Sequence, residues 1–189
     1  MTLPTPEATA GFDAIVLAGG SSTRFGSDKL GALVGGVPLL DRVIAAASAA
    51  RATYVVGDPR PVGREVTWLR EQPAGSGPAN AVVTALASVT ADKVVLLAGD
   101  LPYVTADTIA RLLAASVHRP SALVDADGRT QYLCSVFATE RLRETAARRD
   151  SWAGASMRAL LAPLRLVLVP AQDREAHDVD TPQDVPSDP

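Results

Sequence analysis

The stretch "IVLAGGSSTRFGSDK", Ile15 to Lys29, places four apolar residues ahead of two glycines, a run of hydroxyls, an arginine, a further glycine and a lysine. A short apolar run that ends in Gly-Gly reads as a buried strand entering a loop. In an open α/β sheet such a loop lies at the carboxyl edge, where ligands bind. Gly19 and Gly20 let the backbone approach closely and point successive N–H groups at an anion, while Ser21, Ser22 and Thr23 add hydroxyl donors. Arg24 and Lys29 flank Gly26 and can clamp a polyphosphate from two sides, arginine forking onto oxygens and lysine acting as a point charge. Counting excludes two familiar phosphate loops. Five residues separate Gly20 from Gly26 where a Walker A loop has four, Lys29 is followed by Leu30, and neither Gly19 nor Gly20 opens a G-x-G-x-x-G pattern. A Gly/Ser turn carrying solvated charges is the plainer reading of the same residues.

Outward from this loop, short apolar runs alternate with longer Ala/Leu-rich segments, the pattern of β-α units on a parallel sheet. The runs are 14–18, 53–57, 65–69, 93–99, 121–126, 131–138 and 165–170, which predicts about seven strands. Helical spacing marks segments from Pro38, Pro78, Thr105, Thr139 and Gly154. Pro38 and Pro78 suit a first helical turn and Thr105 an N-cap. The first four strands are expected to alternate with helices, whereas Asp127-Gly128 predicts a hairpin between 121–126 and 131–138. The expected fold class is therefore α/β, a single-domain mostly parallel sheet with an antiparallel addition in the second half. The domain is expected over 13–185, between an N-terminal tail at 1–12 and a C-terminal tail at 186–189.

Whole-chain numbers narrow the function. At 189 residues and 47% hydrophobic content the chain suits one buried core. A formal net charge of −3 offers no basic surplus for a nucleic-acid backbone. No run approaches the roughly 18 apolar residues that span a bilayer, and the N-terminus has no signal-peptide pattern, so the expectation is a cytoplasmic protein without membrane partners. The lone Cys134 lies in an apolar run and reads as a small core residue.

Two acidic segments complete the candidate site. "VVLLAGDLPYV" is a buried strand ending in Gly99-Asp100, which sets Asp100 on the same edge as the phosphate loop, where it can hold Mg²⁺ against phosphate oxygens. A turn aspartate before Leu101-Pro102 is the alternative. In "HDVDTPQDV", Asp178 and Asp180 alternate around Val179, and Asp180 or Thr181 also suits a helix cap ahead of Pro182. His118 and His177 are too far apart in sequence to support a zinc site or a Ser/His/Asp triad.

The stretch "LAGGSSTRFGSDK" resembles the L-A-G-G-x-S-x-R-x-G-x-D-K signature of the molybdenum cofactor guanylyltransferases (MobA type) at every fixed position. The resemblance covers about residues 13 to 185 and implies a three-layer, Rossmann-like nucleotidyltransferase fold. It implies triphosphate binding by Leu17, Ala18, Gly19, Gly20, Arg24 and Lys29, with Arg24, Lys29 and Asp100 catalytic. The family's G-D-x-P segment is matched at Gly99-Asp100, implying a magnesium ligand at Asp100. Its C-terminal Asn/Asp-x-Asn/Asp-T-P segment implies that Asp180, and less directly Asp178, reaches the nucleotide-metal centre. "REQPAGSGPANAV" resembles the family segment that contacts base and ribose, implying nucleotide contacts at Gly77 and Pro78. The family commonly has an aspartate there, and this chain has Glu71 and Gln72. Glu71 could accept from a guanine edge, and backbone carbonyls could do the same. Gln131, Ser156 and Arg158 resemble positions that face the pterin, though solvated positions explain them as well. The implied substrates are GTP and molybdopterin, the cofactor Mg²⁺, and the partners molybdenum cofactor-handling proteins in transient contact. Related cytidylyltransferases look like L-A-A-G at the loop, so Gly19 favours guanine. Cytidylyl transfer, an idle nucleotide-binding regulator and, less well, a dinucleotide-dependent oxidoreductase are the competing readings.

Overall fold

The computed structural model describes residues 11–19, 28–179, 181 and 184. The chain begins with β1 (Phe12–Leu17), whose six residues are all buried. After a 3₁₀ turn at Lys29–Gly31 come a two-residue hairpin, β2 (Leu33–Val34) and β3 (Val37–Pro38), and then α1 (Leu39–Ala46). Pro38 is still paired to Leu33 in that hairpin, so it stands at the N-cap and the first helical turn starts at Leu39. β4 (Thr53–Val56), β5 (Thr67–Leu69), α2 (Pro78–Leu86), β6 (Lys93–Ala98) and α3 (Ala106–Ala115) follow, then β7 (Ser121–Val124), β8 (Thr130–Ala138), α4 (Thr139–Ala146), α5 (Met157–Leu161) and β9 (Val167–Pro170).

The main sheet is seven-stranded in the order β5-β4-β1-β6-β8-β7-β9. β8 runs antiparallel to both β6 and β7, and the other six strands share one direction. This is the expected mostly parallel sheet with its antiparallel addition in the second half. No helix separates β4 from β5. The segment between them carries Gly57, Pro59, Pro61 and Gly63, and proline removes the amide donors a helix interior needs. The hairpin between β7 and β8 is wider than a two-residue turn: Asp125 donates its N–H to Arg129 O at 3.0 Å, and its carboxylate accepts from the amides of Asp127 and Arg129. Beyond it the register jumps, Leu123 facing Gln131 and Ala122 facing Ser135, so β8 bulges at Tyr132–Cys134.

Alternate residues of the central strands build a separate core on each face. Ala14, Val16, Val95 and Leu97 pack with Leu40, Val43 and Ile44 of α1 and Ile109 and Leu112 of α3. Ile15, Leu17, Val94 and Leu96 pack with Val82, Ala85 and Leu86 of α2, Leu142 of α4 and Leu160 of α5. Strands buried on both faces read as continuous apolar runs, which is why β1 and β6 were legible. Asp13 is 0% exposed inside β1, its Oδ2 accepting from the amides of Thr90 and Ala91 at 2.8 and 3.0 Å. That carboxylate fixes the entry to β6. Cys134 is buried as expected, and burial pushes its thiol up to about 12, which makes it a packing residue and not a nucleophile. Among the described residues, no helix is long and apolar enough to cross a membrane.

Candidate active site

Register brings the site together. Leu17 lies between Val56 on β4 and Ala98 on β6, so the residues after these strands emerge at one carboxyl edge. Ala18 N donates to Val56 O at 2.8 Å and Gly99 N to Leu17 O at 2.9 Å. The approach is so close that a Cβ on Gly99 would lie 2.9 Å from Leu17 O, and one on Gly57 2.8 Å from Ala18 O. Only glycine lets the three strands end this tightly, and the residue after Gly99 is Asp100.

Lys29 opens the 3₁₀ turn and donates from Nζ to Asp100 Oδ2 at 2.8 Å. The side chains are 12% and 29% exposed, so the pair is largely shielded yet open to a ligand. Two residues from separate motifs, 71 positions apart, thus meet where the sequence placed both. Leu17, Ala18 and Gly19 arrive at the same edge. Gly20, Arg24 and Asp180 lie outside the described residues.

Further residues, which no motif announces, hold this edge. Arg42 of α1 donates from Nε to Pro102 O at 3.0 Å and from Nη1 to Val34 O at 3.1 Å, tying the turn after Asp100 to the β2-β3 hairpin. Arg60 donates from Nη1 to both oxygens of Asp28 at 2.5 and 2.6 Å. Its hydrogen bond, against the opposing effect of burial, holds the Asp28 carboxyl below its usual range.

The loop 70–77 sits on the β5 side. Arg70 pairs with Asp58, and Glu71 Oε1 accepts from Gly75 N at 2.8 Å, which engages that oxygen in its own loop. Gly77, at φ +95°, is the N-cap of α2, and Pro78 takes the first helical position, so the positive end of a helix faces the ligand edge. Gly154 N donates to Ser76 O at 2.7 Å, which fastens the loop to the segment before α5. Ser156 accepts from Ala159 N as the N-cap of α5, Arg158 is exposed, and Gln131 reaches Asp125 at 3.4 Å.

From the other side the C-terminal segment docks on Asp100 itself: Val179 N donates to Asp100 O at 3.1 Å, and the Val179 side chain is buried with Val34 and Leu39. Asp178, one residue earlier, is exposed. Thr181 donates its N–H and hydroxyl to Asp184 Oδ2 at 2.7 and 2.9 Å, the returning half of a capping box. The segment's anchor is Glu175, which accepts from Thr108 Oγ1 at 2.6 Å, from Gln172 N at 2.8 Å and from Arg111. Burial opposes its charge, but these donors, Arg111 first, hold its carboxyl below the usual range. A depressed folded-state value means that the stabilisation is present above the unfolded value of about 4.3 and fades as pH falls through the folded one. Glu175→Ala should cost about 2 kcal/mol at neutral pH, because it takes a charged acceptor from the buried Thr108 hydroxyl and from Arg111, which keeps Asp107 and Pro170 O. Thermal melts from pH 7 to pH 3 should show the gap to wild type narrowing below about pH 4.3.

The MobA-like NTP transferase domain model matches residues 14–171. A protein of Synechococcus elongatus named probable molybdenum cofactor guanylyltransferase is 41% identical over 99 residues, 48% of this chain and 51% of that one, so the chain spans about half the length of this relative. In fold, the chain is similar to the molybdopterin-guanine dinucleotide biosynthesis protein A of Archaeoglobus fulgidus, at 20% identity over 92% of this chain and 94% of that one, with a TM-score of 0.69. It is equally similar to the 2-C-methyl-D-erythritol 4-phosphate cytidylyltransferase of Thermus thermophilus, at 21% identity over 90% and 94% of the chains, also with a TM-score of 0.69. With a glycine loop after β1, a lysine–aspartate pair across the carboxyl edge and a domain match over most of its length, the chain belongs to the MobA-like NTP transferase family.

Proposed function

We propose that the chain transfers the guanylyl group of GTP to the terminal phosphate of molybdopterin. An acceptor phosphate oxygen attacks the α-phosphorus, a new P–O bond forms, the bridge to the β-phosphate breaks and pyrophosphate leaves. The observation that carries this reading is the Lys29–Asp100 pair, 2.8 Å apart at the carboxyl edge of the sheet. Phosphoryl chemistry of this kind needs positioning and charge neutralisation, not a protein nucleophile. Lys29 would meet the phosphates, and the backbone N–H groups of the loop with Arg24 would share the charge that builds on the departing pyrophosphate. Glu71, Gly77 and Pro78 would border the base and ribose.

The donor set fits Mg²⁺ carried by the nucleotide. Asp100 is a hard carboxylate, part-exposed at the edge, and no group of three or more metal-binding side chains stands among the described residues. Magnesium takes one or two carboxylates and fills its shell with phosphate and water oxygens. Asp100, helped by Asp180, would hold the ion, which when bound supplies positive charge against the phosphate oxygens. The relative's name supports guanylyl transfer, whereas the two structural likenesses are equal and leave the base to the loop, where Gly19 favours guanine.

Calorimetric titration of Mg-GTP and Mg-CTP tests the nucleotide half. GTP binding at least about tenfold tighter, some 1.4 kcal/mol, supports the reading. Tighter CTP would transfer it to the cytidylyl reaction, and no binding of either would remove it.

A further inference from the structure

Lysine places a compact charge at the end of a flexible four-carbon stem, so its aim depends on how firmly its backbone is held. Beside Lys29, that hold comes from Asp28. Gly31 leaves room for the Asp28 carboxylate, since a Cβ there would lie 2.8 Å from Oδ2. Arg60 then binds both carboxylate oxygens from the loop that leaves β4.

Arg60 is the better-fixed partner. Its side chain is 25% exposed against 61% for Asp28, and its Nε is enclosed with no hydrogen-bond partner among the described residues. The pair with Asp28 is therefore the polar contact that its placement serves. The loop bearing it is anchored at both ends: Gly57 N donates to Leu69 O at 2.9 Å under the close approach to Ala18, and Gly63 N donates to Asp41 Oδ1 of α1 at 2.6 Å. A chain of fixed points thus runs from β4 and α1 through Arg60 to Asp28, and one residue on to Lys29 and Asp100.

We infer that Arg60 is a positioning residue: from an anchored loop it fixes Asp28 and thereby aims the Lys29 ammonium at Asp100 and at the nucleotide phosphates. Its purpose rests on the nucleotide reading above, but its test does not. An ion pair this exposed adds little to stability, so the effect falls on aim and not on the melting temperature.

The chain has two lysines, Lys29 and Lys93, and Lys93 donates to Ser116 Oγ at 3.0 Å at the C-terminal end of α3, away from the site. Reductive methylation of the ligand-free protein, followed residue by residue by mass spectrometry, therefore carries its own control. Arg60→Ala and Asp28→Asn should each speed modification of Lys29 by at least about threefold, and the double variant should add nothing, as two members of one contact do. Lys93 should react at its wild-type rate in all of them, and Arg60→Lys should recover part of the protection. An unchanged Lys29 rate in Arg60→Ala, additive effects, or an equal rise at Lys93 would overturn the inference. In turnover, Arg60→Ala should raise the KM for GTP at least about fivefold with a smaller change in kcat. Should wild type not use GTP, the proposed reaction falls while the amine rates still decide the role of Arg60.

Discussion

Asp100→Ala is expected to lower turnover at least about a hundredfold, roughly 2.7 kcal/mol of transition-state stabilisation, while the protein stays folded. The loss follows from what the side chain does. It is part-exposed at the strand end, pairs with Lys29 and, on the proposed reading, would hold the metal against phosphate. Folding should survive because the structural contact of this residue is made by its backbone: Val179 N donates to Asp100 O, which alanine retains. Pyrophosphate release, measured beside a thermal melt, separates the two effects. Turnover near wild type would remove Asp100 from the mechanism.

Lys29→Ala should be of similar size and different in form. Removing the ammonium would, on the proposed reading, take a cation from the phosphates, and it leaves Asp100 without that partner, so KM for the nucleotide should rise together with a fall in kcat, for a combined loss in kcat/KM of at least about a hundredfold. The two changes act on one contact, and the double variant should be far less impaired than the product of the singles. Additive losses would mean that Lys29 and Asp100 work apart, against the 2.8 Å pair.

What the sequence made legible follows a physical rule. β1 and β6 are buried on both faces and announce themselves as apolar runs, and Thr105 announces the start of α3 through a capping box completed by Thr108. Lys29 and Asp100 could be set at one edge because Asp100 follows a strand legible as buried and Lys29 closes the loop that leaves another; the tight approach itself is made by Gly57 and Gly99, whereas a Cβ on Gly19 would meet Val56 O only at 3.9 Å. The contacts that hold the site were not. Arg42 reaches a carbonyl 60 residues away, Arg60 a carboxylate 32 away and Arg111 a carboxylate 64 away, and nothing in the local pattern of an arginine names its partner. The β2-β3 hairpin was too short to leave a period, and the bulge in β8 lies in a register between strands that no local pattern carries. The bare loop between β4 and β5 could have been read from Pro59 and Pro61.

The central claim is that the Lys29–Asp100 edge performs guanylyl transfer, and the most direct measurement is anaerobic incubation of the chain with molybdopterin, Mg²⁺ and either GTP or CTP, following dinucleotide and pyrophosphate together. The account predicts both products in equal amount from GTP, none from CTP, and none from either with Asp100→Ala. Equal or greater product from CTP, or no product from GTP while Mg-GTP binds, would contradict it.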